Sequence, residues 1–288
     1  MSDDLVVTAR DPALHARLER LARSARMVFF AGLPGTGKSL MIQQLTHLAA
    51  SRDRRIHVLQ WDVARPVFEA SDAGRRYPIV DGVTHAAVRR AVGLWARRAI
   101  GEWAQRSTDE AHLLVGETPF VGGRLIELAR HEPDAAEPLL DAAACRFVIP
   151  VPSRAVRELL EAERERRAAR PVHAREREDA PPHVLREMWR EAVDAGRVLG
   201  VWTAVDDAAY DPELYARVYE TVLHRRHVER LPMDVRLPVE GRSAYEFTIP
   251  LEDLVPSLDE ASAVLREVEA RYRDAETLER EVERWYVT

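Results

Sequence analysis

The stretch "MVFFAGLPGTGKSLMIQQL", residues 27–45, decides how this chain is read. An apolar run, MVFFA, leads into GLPGTGKS. Apolar residues at helical spacing follow: Leu40, Ile42, Leu45, Leu48 and Ala49. The order is strand, glycine-rich loop, helix. Lys38 is the one lysine of the chain, and the other 41 of its 42 basic residues are arginine. A GC-rich bacterial genome produces such a bias, and it replaces lysine wherever a generic positive charge suffices. The lysine that stays marks a place where a compact, mobile cation is needed and a planar guanidinium is not equivalent.

GLPGTGKS fits G-x-x-x-x-G-K-[ST] through Gly32, Gly37, Lys38 and Ser39. Glycines let a backbone wrap phosphate groups with its N–H groups pointing inward. The helix N-terminus adds partial positive charge. Lys38 then reaches the β- and γ-phosphates, and the Ser39 hydroxyl is placed for Mg²⁺. The expected nucleotide-binding set is Gly32, Pro34, Gly35, Thr36, Gly37, Lys38, Ser39 and Leu40. The bland alternative is a glycine-rich turn with a solvated lysine, which neither the strand–loop–helix context nor the solitary lysine favours. At these residues the sequence resembles the P-loop NTPase superfamily, which implies ATP, or another NTP, with Mg²⁺.

A length of 288 residues suits one large or two small domains. With 46% hydrophobic and 31% charged residues the composition is that of a soluble globular protein. A net charge of −6 argues against a dedicated nucleic-acid binder, which carries a basic balance. The single cysteine, Cys145, has no partner for an internal disulfide, and its apolar surroundings, ACRFVIPV, read as core. The acidic start, MSDDLVV, lacks a signal-peptide pattern, and no apolar run has the length of a membrane span. A cytoplasmic protein without a membrane partner is expected.

Further strand candidates lie at 55–61, 112–117, 145–151 and 197–205, with helical stretches between them at 84–105, 123–130 and 183–195. Strands alternating with helices predict an α/β fold, a five-stranded parallel sheet sandwiched by helices. Ligands of such sheets sit beyond the carboxyl ends of the strands. Asp62 closes HVLQWD and Glu117 closes HLLVGE, so both should face the phosphate cleft. Asp62 is the candidate base for an acceptor hydroxyl, or else an N-cap or turn acid. Glu117 is the candidate Mg²⁺ carboxylate, or else a turn acid. Arg124, after a glycine pair, and Arg89, in YPIVDGVTHAAVRR, are candidates for an acceptor anion, or else solvated helix arginines. His85 reads as a helix cap, Val88, Val92 and Trp95 as core, and Trp61 and Phe68 as core before ring stacking. Zinc-ligand spacing and a nucleophile elbow are both missing from the sequence.

The segment 153–182 is dense in Arg and Glu. By itself it reads as a solvated helix and loop broken at Pro171. The order of parts resembles the nucleoside and nucleotide kinase group, the adenylate-kinase-like P-loop proteins. That resemblance implies a core over 1–206, an acceptor-holding insertion at 63–110, and a lid at 153–182 whose Arg167 and Arg177 assist catalysis. The residues 207–288 are expected to form a mainly helical extension, packed on the core by default or used for a homodimer. The implied activity is transfer of the γ-phosphoryl group of ATP to a small nucleoside-, nucleotide- or metabolite-like acceptor. The alternative is an NTP-hydrolysing switch ATPase that acts through a protein partner.

Overall fold

The computed structural model describes residues 6–80, 82–169, 182–203, 209–237 and 251–288. The apolar runs form the inner strands of one sheet: β1 (Met27–Ala31), β2 (Arg55–Leu59), β3 (His112–Thr118) and β4 (Cys145–Pro152). Two further strands, β5 (Val228–Met233) and β6 (Glu252–Asp253), close its edges. The order is β5-β4-β1-β3-β2-β6, and every pairing is parallel. Parallel sheets are covered on both faces, so their inner strands need apolar residues at nearly every position. All five residues of β1 are buried, and neighbouring Phe29 and Phe30 enter opposite cores.

One core holds Phe30 with α1 (Pro12–Ser24) and α2 (Lys38–Ala50), through Leu18, Met41 and Leu45. The other holds Phe29 with α3 (Trp61–Ala70), α4 (Ala86–Arg106), α7 (Pro182–Val198) and α8 (Pro212–Val222), then α9 (Leu258–Arg271) and α10 (Ala275–Glu283). Two remaining helices, α5 (Glu137–Leu140) and α6 (Arg154–Ala169), flank β4 in sequence. The fold is therefore α/β, an open parallel sheet flanked by helices. Both α9 and α10 pack on α4 within the chain. Among the described residues no helix is long and apolar enough to cross a membrane.

The sheet has six strands where five were expected. Of the expected strand 197–205, the described residues 197–203 are not a strand: Arg197 and Val198 finish α7, and the N–H groups of Val201 and Trp202 turn back to the Gly196 carbonyl. The strand beside β4 is instead VERLPM, β5, whose Pro232 is tolerated because β5 is an edge. Residues 123–130 form no continuous helix. Positive φ at Gly122, Gly123 and Leu125 breaks them into the short 3-10 turns Val121–Gly123 and Ile126–Leu128. Other expectations hold. Cys145 is fully buried, which pushes its thiol up to about 12. His85 caps α4, its Nδ1 accepting from the Ala87 N–H at 3.1 Å. Trp61, Phe68, Val88, Val92 and Trp95 lie in the core.

A buried charge clamp ties α4, α5 and the entry to β5. Arg97 and Arg226 each donate to the Glu137 carboxylate at 2.7 Å. Burial opposes ionisation of Glu137, but the hydrogen bonds from Arg226 and Arg97 outweigh it and hold the carboxyl far below the ordinary glutamate range. The clamp is complete above that ordinary range and weakens as pH falls below it, where the unfolded chain takes up a proton that the folded one refuses. Glu137→Gln should cost about 3 kcal/mol at pH 7. Urea midpoints of variant and wild type should draw together between pH 7 and pH 3; an equal gap at both would show that the carboxylate charge is not what the clamp uses.

Candidate functional site

From β1 the chain passes to β2, returns to β3 between the two, and then crosses to β4 on the other side of β1. The carboxyl end of β1 is thus the point where the winding reverses, the place where open α/β sheets form a crevice. The loop 32–37 stands there, and α2 starts at Lys38.

The loop's shape follows from its glycines and from what walls them. Gly32 has φ +153°, and a methyl group on it would stand 2.0 Å from the Tyr215 hydroxyl, brought by α8. Gly37 has φ +84°, and a methyl there would meet Met233 Cε of β5 at 2.9 Å. Inside the loop the Thr36 hydroxyl donates to the Leu33 carbonyl at 2.8 Å. Lys38 is 6% exposed, and its ammonium donates to the carbonyls of Gly32 at 2.8 Å and Leu33 at 2.9 Å. Two of its three N–H groups are so used. Among the described residues, none of the backbone N–H groups of residues 35–40 has a hydrogen-bond acceptor, and α2 has no side-chain cap. A helix start left in this state is a ready anion site.

Charge converges on the same point. Burial lowers the Lys38 pKa from the usual 10.5 to about 8; Glu117 and Asp62 pull it up, and Arg164 and Arg157 push it down. Both arginines come from α6, two helical turns apart on one face. A methyl on Gly35 would lie 3.3 Å from Arg157 Nη1 and 3.4 Å from Arg164 Nη1. Arg157 is 2% exposed. It donates to the Pro34 carbonyl at 2.9 Å and to Glu161 at 2.6 Å, and it lies over the Tyr210 ring. Sequence reasoning missed Arg157, Tyr215 and Met233, and it placed Arg164 only as one of the arginines of the expected lid at 153–182. The seven-residue spacing of the two arginines directly after β4 was a usable signal. Nothing local marks Tyr215 or Met233.

The expected site residues divide into groups. Glu117 lies in β3 opposite Phe30 of β1, half-buried, within electrostatic reach of Lys38. Ser39 is half-buried in the first turn of α2. Asp62 is not the last residue of a strand: β2 ends at Leu59, and Asp62 sits exposed in the first turn of α3. Its charge acts on both Lys38 and Arg124. Arg124 follows the Val121–Gly123 turn, and among the described residues its guanidinium makes no hydrogen bond and no ion pair. Arg89 is committed elsewhere, to the Gly122 carbonyl and Glu279, both at 2.7 Å. Arg177 and the side chain of Arg167 lie outside the described residues, as does most of the expected lid beyond α6.

Among the described residues no set of three or more His, Cys, Asp and Glu side chains is placed to hold a metal ion. A magnesium ion would fit only as a partner of bound phosphate, with Ser39 and Glu117 beside it. Set against protein-family profiles, curated proteins and solved structures, the chain matches none.

Proposed function

We propose that the protein is an ATP- and Mg²⁺-dependent phosphotransferase with a P-loop kinase core, acting on a small-molecule acceptor. The observation that carries this reading is the ring of uncommitted amide groups at residues 35–40 around the buried ammonium of Lys38, with Arg157 and Arg164 above it. Such a cradle has donors for a polyphosphate, and the two carboxylates that act on Lys38 are Glu117, where a metal ion belongs, and Asp62, the candidate base. The arrangement of the loop strand between β3 and β4 agrees with it. Mg²⁺, held by Ser39 and Glu117 with phosphate oxygens, would neutralise charge on the nucleotide.

In the reaction an acceptor hydroxyl oxygen attacks the γ-phosphorus, and the bond to the β–γ bridging oxygen breaks. The hydroxyl proton passes to Asp62, and ADP leaves with the electron pair of the broken bond. Lys38, Arg157 and Arg164 offset the charge that builds on the transferred group. Asp62 makes no side-chain hydrogen bond among the described residues, so its carboxylate is available as the base. A second reading, an NTP-hydrolysing switch ATPase, needs no acceptor pocket, and the unpaired Arg124 near Asp62 speaks for one. The test is incubation with γ-labelled ATP and a pooled metabolite library. Label in a phosphate ester supports the transferase; label only in free phosphate supports the switch.

Lys38 also sets a pH dependence. Free, it loses its proton near pH 8; bound phosphate would hold the proton on. Nucleotide affinity should be level from pH 7.5 to 8 and then weaken by up to about tenfold per pH unit. Calorimetry at pH 9 in two buffers of different ionisation enthalpy should show proton uptake, absent in Lys38→Met. An affinity unchanged up to pH 9.5 would mean that the ammonium does not meet the phosphates.

A further inference from the structure

Among the arginines of α6, Arg157 is set apart by what holds it. Its side chain is buried, and two of its three nitrogens are fixed. Nε donates to Glu161 Oε1 at 2.6 Å, and Nη1 donates to the Pro34 carbonyl at 2.9 Å. Nη2 makes no hydrogen bond among the described residues. A guanidinium is flat, so two fixed nitrogens set the direction of the third. Its central carbon lies over the Tyr210 ring, 5.4 Å from the ring centre. Tyr210 is itself held. Its ring packs on Trp189 at 5.2 Å and Tyr215 at 5.8 Å, and its carbonyl accepts from Arg154 Nε at 3.2 Å. As a helix pair, Arg157 and Glu161 would do little, because the favoured order puts the acid first and here it comes second. By charge alone, moreover, a half-buried carboxylate beside an anion site weakens the attraction for phosphate. Its presence there needs another reason, and the direction of Arg157 supplies one.

We propose that Glu161 and Tyr210 are positioning residues: they hold the Arg157 guanidinium in one plane over Gly35, so that Nη2 and the second N–H of Nη1 meet an oxygen of the phosphate being transferred. The inference rests on the phosphotransferase reading above. The place suits the role, since Nη1 would stand 3.3 Å from a methyl on Gly35, where the uncommitted amide groups of the loop begin. An unheld arginine carries the same charge but spreads it over many rotamers. A held one has lost that freedom on folding, before any nucleotide arrives, and its donors need no rearrangement as charge builds in the transition state. Glu161 therefore weakens ground-state attraction slightly and raises the rate, which is the balance that favours turnover over tight binding.

The test uses the full chain with γ-labelled ATP, Mg²⁺ and the pooled metabolite library, and reads total ADP, labelled ester and free labelled phosphate separately. Glu161→Ala should lower kcat by about tenfold or more, the loss expected when a preorganised donor is released. The KM for ATP should stay the same or fall, because a carboxylate has left the anion site. Glu161→Gln keeps an acceptor for Nε and should recover part of the rate. Tyr210→Leu should lower kcat in the same way, and Tyr210→Phe, which keeps the ring, should recover part of it. Unfolding midpoints should stay close to that of the wild type. A wild-type kcat in Glu161→Ala, or a loss that lies wholly in a raised KM for ATP or follows a lowered midpoint, overturns the positioning role and leaves the phosphotransferase standing. Free phosphate as the sole labelled product of the wild type, with the split between kcat and KM intact, overturns the phosphotransferase and leaves the positioning role standing for hydrolysis. No ADP from the wild type overturns both.

Discussion

Replacing Lys38 by methionine should reduce nucleotide turnover by about 10³-fold or more while leaving the protein as stable as before. Removing one preorganised donor from a developing oxyanion costs on the order of 10²–10³ in rate, and here the donor also carries a full charge. Stability should hold because the ammonium is not a favourable tenant of its site. Its pKa is lowered from 10.5 to about 8, chiefly by burial, so the folded chain charges it at a cost at neutral pH. Methionine keeps the length and drops the charge. The sign can be checked by urea unfolding at pH 7, where the variant should equal or exceed the wild type. Lys38→Arg should be nearly as inactive, since a planar fork does not fit between the carbonyls of Gly32 and Leu33. Wild-type turnover by well-folded Lys38→Met would remove the basis of the functional reading.

The second large effect concerns stability alone. Gly93 lies within α4, where helix propensity favours alanine over glycine by about 1 kcal/mol. The structure reverses that sign. A methyl on Gly93 would stand 1.6 Å from Glu127 Oε2, and Glu127 is fully buried and paired with Arg90. The carboxylate has nowhere to retreat that keeps its partner. Gly93→Ala should therefore cost about 3–5 kcal/mol, the usual loss when a buried pair is broken. The unfolding midpoint should fall by roughly 10 °C. The cost should be shared with Glu127: Gly93→Ala combined with Glu127→Ala should destabilise by less than the sum of the single changes. A neutral or stabilising Gly93→Ala would show that α4 and the turn at Ile126–Leu128 do not pack this closely.

How much of this could be read from the chain depended on burial. The runs at β1, β3 and β4 were legible because both faces of each strand are covered. The strand β5 was not, because an edge strand can carry Glu229, Arg230 and Pro232, and Arg230 is spent on Glu213 and Glu220 from α8. The run at 197–205 misled for the opposite reason: apolar residues that end a helix look like a strand when only composition is counted. Within the site, the loop residues were legible from spacing. Arg157 and Arg164 were hidden among many arginines, and only the position of α6 over Gly35 separates them from their neighbours. Arg89 and Arg124 stand near each other in sequence terms of role, yet one is consumed by Glu279 and the other is not, which no local pattern encodes.

The two walls of the loop, Tyr215 against Gly32 and Met233 against Gly37, have a consequence for synthesis. During translation the loop leaves the ribosome early, followed by the strands that flank it. Its walls are not made until nearly two hundred residues later. Until β5 arrives, β4 presents an open edge, which is a template for pairing with other chains. A nascent or truncated chain ending near residue 206 would have the complete sequence of the glycine-rich loop but lack the surfaces that shape it. It should need chaperone protection rather than fold as a unit. The order in which the chain is made is thus the reverse of the order in which the pocket can close.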